Sequence, residues 1–117
     1  MSQNCIFCKI ISGEIPSKKV FENESVLAIE DVNPVAPVHI LVLPKKHYTS
    51  ILDIAASEAG LADLSQLMAA LPQIAEELGV EESGFRLINN CGEEGGQTVM
   101  HLHFHLIGGR NLGPGLI

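Results

Sequence analysis

The chain has 117 residues, 46% hydrophobic and 18% charged, with 14 Asp and Glu against 7 Lys and Arg. That hydrophobic share excludes intrinsic disorder, and the length suits one domain that buries a core without disulfide staples. The net charge of −7 argues against a non-specific nucleic-acid or anionic-membrane surface, and no apolar run nears the ~20 residues of a bilayer span.

The elements follow in chain order. Met1 to Cys5 carries no basic region and no long apolar stretch, so no signal peptide is expected and the reading is cytoplasmic. Ile6 to Ile11 reads as a brief helix stopped by Ser12-Gly13. Lys19 to Glu22 and Ser25 to Ile29 read as strands joined by a turn at Asn23-Glu24. Asp31 to Pro37 is expected to be an extended loop. His39 to Leu43, ended by Pro44, suits a buried central strand.

Leu61, Leu64, Met68, Leu71, Ala75 and Leu78 recur at helical steps, so Ser57 to Val80 is expected to be an amphipathic helix facing a core. Pro72 should kink it or begin a second segment, and Gly79 should end it. Gly84 to Ile88 reads as a strand, Asn89 to Gln97 as a glycine-rich loop, and His101 to Ile107 as the last strand. About five strands joined mostly by short turns imply a largely antiparallel sheet with one long and one short helix. The class is α+β, as a single domain over 1–117.

The last strand is the most informative segment. His101, His103 and His105 alternate with Leu102, Phe104 and Leu106, so the imidazoles share one face and the apolar side chains the other. Clustered imidazoles favour the neutral form, which serves as metal ligand, general base or nucleophile. The bland alternative is a polar solvent face on an edge strand. Just upstream, Asn90 to Thr98 is rich in glycine, whose backbone can approach a ligand closely and present N–H groups to an anion. Histidines beside such a cradle suit a phosphate.

His101 to Ile107 matches the histidine triad pattern. Cys5 to Ile11, Gly13 to Pro16, Asp31 to Pro37, His39 to Lys45 and Gly95 to Thr98 extend the likeness over nearly the whole chain. The sequence resembles the histidine triad (HIT) family, in its Hint branch of purine nucleoside phosphoramidases. That resemblance implies hydrolysis at the α-phosphorus of substrates such as adenosine 5′-monophosphoramidate, with His103 as the nucleophile of a covalent nucleotidyl-histidine intermediate. It assigns His105 to the phosphate oxygens and His39 to the fourth histidine position beside the triad. Thr98 stands near the leaving group, where the family often has Ser.

Asn90 and the backbone of Gly96, Gln97 and Thr98 would donate to the phosphate. Asp31 would accept from the ribose hydroxyls; read alone, it is a turn or cap residue. Ile6, Phe7, Ile10, Ile29 and Val32 would form an apolar slot for the base; read alone, they are core. The family also implies a homodimer, with no membrane or nucleic-acid polymer as partner and no organic cofactor.

Cys5 and Cys8 form a C-x-x-C pair, open between zinc, redox chemistry and buried free thiols. Some bacterial relatives complete a structural zinc site with two histidines, and here His47 and His101 are the candidates. Cys91 has no obvious partner. One competing reading makes His101, His103 and His105 the ligands of a catalytic zinc, although the outer pair lies about 13 Å apart along a strand. Others are dinucleoside polyphosphate hydrolysis and a non-catalytic nucleotide-binding scaffold.

Overall fold

The computed structural model describes residues 4–117, so Met1 to Gln3, where the leader reading begins, lie outside the described residues. The elements are α1 (Ile6–Ile11), β1 (Lys19–Glu22), β2 (Val26–Glu30), β3 (Val38–Pro44), α2 (Ile51–Ile54), α3 (Glu58–Leu78), β4 (Phe85–Asn89) and β5 (Phe104–Gly108). The strands form one five-stranded sheet in the order β1-β2-β3-β5-β4, with every neighbouring pair antiparallel. The α+β class and the antiparallel sheet are as expected. Among the described residues no helix is long and apolar enough to cross a membrane.

Two apolar layers sandwich the central strands. Val26 and Ala28 of β2, Ile40 and Val42 of β3, and Leu102, Phe104 and Leu106 pack with Leu67, Ala70 and Ile74 of α3. On the opposite face, Leu27 and Ile29 of β2 and Leu41 and Leu43 of β3 pack with Phe7 and Ile10 of α1. Covering on both sides explains why β2 and β3 read as nearly unbroken apolar runs. The β1–β2 turn is held by Asn23, whose Oδ1 accepts from the N–H groups of Ser25 (2.9 Å) and Val26 (2.8 Å).

Helix α3 starts at Ser57, whose side chain accepts the Gly60 N–H, and ends at Gly79 with φ 73°, a left-handed conformation that favours glycine. It remains one 21-residue element with Pro72 inside. The hydrogen bond that proline removes is offset by burial on both sides of it, through Leu67, Ala70, Ile74 and Ala75. The buried face is rotated from the expected one. Leu61 and Met68 are exposed, while Leu64, Leu71 and Leu78 flank the core. Helix α2 was not foreseen, because a single turn has no period to detect. It is capped by Ser50 and buries Ile54.

The histidine strand is shorter than expected. Regular pairing of β5 with β3 begins at Val42↔Phe104. Continued by two residues it would meet Pro44, which has no N–H to donate. Residues 101–103 are held in place by other means. The Leu102 N–H donates to the Tyr48 carbonyl at 2.7 Å, and Asn89 Nδ2 donates to the His103 carbonyl at 3.1 Å.

Candidate active site and metal centre

All five histidines gather on the α1 side of the sheet. Strand β3 contributes His39, the segment after it His47, and the β5 region His101, His103 and His105. His101, His103 and His39 are buried, and His105 is half-buried. Burial is the main cause that lowers the pKa of His101, from 6.5 to about 4, and that of His105, with neighbouring histidines adding to it.

Hydrogen-bond partners fix which nitrogen of each ring carries the proton, because a carbonyl only accepts and a backbone N–H only donates. His103 Nδ1 lies 2.8 Å from the His101 carbonyl, so Nδ1 is protonated and Nε2 keeps its lone pair. The Val35 N–H donates to His39 Nδ1 at 3.1 Å, so the His39 proton is on Nε2. That Nε2 lies 2.9 Å from His105 Nδ1, which therefore accepts, leaving the His105 proton on Nε2. His103 and His105, with ring centroids 5.3 Å apart, thus hold opposite tautomers. The first has a free Nε2 lone pair and the second a free Nε2–H donor.

The side chain of Phe7 packs edge-on to His103, centroids 5.0 Å apart, and to His101 at 5.7 Å. Phe7, Ile10 and Ile29 are all buried in one core cluster, whereas Ile6 and Val32 are exposed. Ile6 and Thr98 line one cavity of about 340 Å³ with Asn4, Cys5, Val99 and Met100. A larger cavity, about 720 Å³, lies between the α3–β4 turn and residues 109–113, and none of the candidate site residues line it.

Asp31 Oδ2 stands 3.3 Å from His39 Nε2, while its Oδ1 accepts the Asn33 N–H at 2.8 Å. Asn90 Nδ2 donates to the Gly95 carbonyl at 2.7 Å and braces the glycine-rich loop. Gly96 in that loop has φ 81°, and a Cβ there would press on Asn90 Nδ2 at 3.2 Å. Gln97 is buried and its side chain is engaged within the fold. Oε1 accepts the Gly92 N–H at 3.0 Å, and Nε2 donates to the carbonyls of Thr49 (2.6 Å) and Val99 (3.1 Å).

His101 turns the other way. Its Nε2 donates to the Pro44 carbonyl at 2.9 Å, which leaves the Nδ1 lone pair facing Cys5 Sγ at 3.3 Å and Cys8 Sγ at 3.6 Å. His47 Nδ1 is 3.3 Å from Cys8 Sγ. All four ligand atoms lie within 4.8 Å of one another, so the cluster could hold a metal ion. Without a cation, burial and contact with Cys5 push the Cys8 thiol up to about 11. Cys91 is half-buried and outside this group.

Asp31, His39 and His105 form a second close group. A metal there would need the His39 Nε2 lone pair, but the Val35 N–H holds that ring in the opposite tautomer. His101, His103 and His105 also do not converge as the ligands of one catalytic zinc: the His101 Nδ1 faces the thiols and its Nε2 the Pro44 carbonyl, and His101 and His105 fall in different groups.

Sequence reasoning missed two supports of the site, Asn89 and the Val35 N–H. A polar residue ending β4 was a weak signal for the first. The second is a backbone group, invisible to any residue-type pattern.

The HIT domain family model matches residues 12–112. The purine nucleoside phosphoramidase of Escherichia coli K12 is 42% identical, covering 97% of this chain and 94% of its own. Among solved structures, a histidine triad protein from Clostridium difficile has a TM-score of 0.91 at 50% identity, covering 99% of each chain. A HIT family hydrolase from Clostridium thermocellum reaches 0.93 at 46% identity, covering both chains completely. The match covers most of the chain and the identity runs nearly its full length: this protein belongs to the histidine triad family.

Proposed function

We propose that this protein is a hydrolase that cleaves purine nucleoside phosphoramidates at the α-phosphorus through a covalent intermediate on His103. The observation that carries this reading is the His103 Nδ1–H bond to the His101 carbonyl, which aims a neutral Nε2 lone pair away from the backbone. A free Nε2–H on the adjacent His105 complements it. Together they offer a nucleophile and an anion donor side by side.

In the first step His103 Nε2 attacks phosphorus, the P–N bond to the amine breaks, and the leaving nitrogen takes a proton from solvent. The His105 Nε2–H and the Thr98 N–H stabilise the charge on the phosphoryl oxygens, whereas the expected Gly96 and Gln97 N–H donors are already given to the Glu93 and Gly92 carbonyls, both at 3.0 Å. Thr98, beside Ile6 in one cavity, stands on the leaving-group side. In the second step water attacks the nucleotidyl-imidazole and gives up a proton to solvent, the P–Nε2 bond breaks, and His103 returns with nucleoside monophosphate released. Asp31 takes the ribose hydroxyls. Ile6 and Val32 offer the exposed apolar surface for the base, with Phe7, Ile10 and Ile29 beneath. The relative named a purine nucleoside phosphoramidase supports this substrate class.

Cys5, Cys8, His47 and His101 fit a structural zinc. A tetrahedral ion with Zn–S near 2.3 Å and Zn–N near 2.0–2.1 Å sets S–N separations of about 3.6 Å. The three S–N contacts here are 3.3, 3.3 and 3.6 Å. The ion would brace the backbone that carries His103. Free thiols fit a reducing, cytoplasmic setting, and a homodimer is the assembly we propose.

The test is to incubate the protein with adenosine 5′-monophosphoramidate and follow amine release. Turnover with a phosphorus–nitrogen adduct on His103 is expected. Tight nucleotide binding with neither turnover nor adduct would overturn the reading.

A further inference from the structure

The Asp31 carboxylate is divided between two tasks. Oδ1 accepts the Asn33 N–H at 2.8 Å, and the Asp31 N–H donates to the His39 carbonyl at 3.0 Å, so the residue is locked to both its loop and β3. Oδ2 is thereby held 3.3 Å from His39 Nε2. The Asp31 side chain is only 18% exposed, so water competes weakly for that contact. His39 therefore meets one donor at Nδ1, from Val35, and hydrogen-bonds through Nε2 to His105 Nδ1, with the Asp31 carboxylate 3.3 Å from that Nε2 as an electrostatic contact.

We infer that Asp31 is a positioning residue that acts on His105 through His39. Its Oδ2 helps keep the His39 proton on Nε2, and that proton keeps His105 protonated at its own Nε2, facing the site. The chain of dependence runs from carboxylate to imidazole to imidazole with no proton transferred. The part concerning catalysis rests on the proposed phosphoramidase activity; the tautomers themselves do not.

The distinguishing variants are Asp31→Asn and Asp31→Ala. In Asp31→Asn the Asn33 N–H still requires an oxygen, so the amide carbonyl takes the Oδ1 place. The NH2 group then falls at Oδ2 and sets a donor against the His39 Nε2–H. Asp31→Ala removes the acceptor but opposes nothing, and Val35 still favours the native tautomer. A carboxylate that only binds ribose would give the reverse order, with Ala at least as damaging as Asn and the loss mainly in KM.

The experiment is 15N NMR of the histidine rings in the ligand-free protein, combined with kinetics on adenosine 5′-monophosphoramidate. The wild type is expected to show His39 and His105 as Nε2–H tautomers and His103 as Nδ1–H. Asp31→Asn should disturb the His39 and His105 signals and lower kcat by roughly 10- to 100-fold, the scale seen when a partner orienting a histidine is lost. Asp31→Ala should move the same His39 and His105 signals less than Asp31→Asn does, because Val35 still favours the native tautomer, with a smaller fall in kcat. Wild-type His105 found as the Nδ1–H tautomer overturns the inference, and this readout needs no variant to fold. Native tautomers in Asp31→Asn, or kcat of Asn at or above that of Ala, overturn it as well. Absence of turnover with the expected tautomer pattern would instead defeat the activity alone.

Discussion

His101 and His103 lie two residues apart on one side of the same extended segment, yet they face different chemistry. His101 gives its proton to Pro44 and turns its lone pair to two thiols. His103 donates its Nδ1–H to the His101 carbonyl, and among the described residues its Nε2 has no hydrogen-bond partner. Alternation put both on one face. On the proposed reading, the atom that accepts each ring's proton decides which serves a metal site and which serves as nucleophile. The two are also linked, because the residue that faces the thiols supplies the carbonyl that orients the His103 ring.

That division can be broken from either side. His103→Ala should abolish phosphoramidate turnover, by roughly 10⁴-fold or more in kcat, since it removes the proposed nucleophile. Metal content of the same variant, measured by atomic emission, should match the wild type. Cys8→Ala should show the converse in part, with bound zinc falling from about one per chain to near none and a lower melting temperature. Retention of zinc in that variant would detach His101 from the thiol cluster as a metal site.

Smaller effects sharpen the contrast with the helix-covered face of the sheet. Leu67→Ala, in the fully buried layer under α3, should cost about 2–5 kcal/mol in denaturant unfolding while leaving kcat of the folded protein near wild type. Asn89→Ala removes the donor to the His103 carbonyl. It should cost about 1 kcal/mol of stability and lower kcat more than it changes KM.

Acidification should give a still more gradual loss. The pKa of His105 is lowered from 6.5, chiefly by burial. Below about 6.5 the unfolded chain binds a proton there that the folded chain resists. This contribution is therefore intact above 6.5 and is lost as pH falls, which denaturant titrations at pH 7 and pH 5 would show.

Much of the fold was legible because its signals are periodic. The triad alternation gave the two faces of β5, and the apolar runs of β2 and β3 gave the buried centre. The helical spacing gave α3, although a one-residue offset between neighbouring apolar rows turned Leu61 and Met68 outward. The start of β5 was not legible, because it depends on Pro44 lying opposite Leu102 once the strands are in register. The gathering of Cys5, Cys8, His47 and His101 came from family likeness, since C-x-x-C alone names no partners. Tautomers were beyond the sequence altogether. They depend on Val35, Pro44 and His101 main-chain groups, which every residue type carries alike.

The most direct measurement is a rapid-quench reaction with adenosine 5′-monophosphoramidate followed by mass mapping of the trapped protein. A nucleotidyl adduct on His103, formed and lost at rates consistent with turnover, is the expected result. Turnover with the adduct on His101 or His105, or with no adduct within the dead time and no burst of amine, would contradict His103 as the nucleophile.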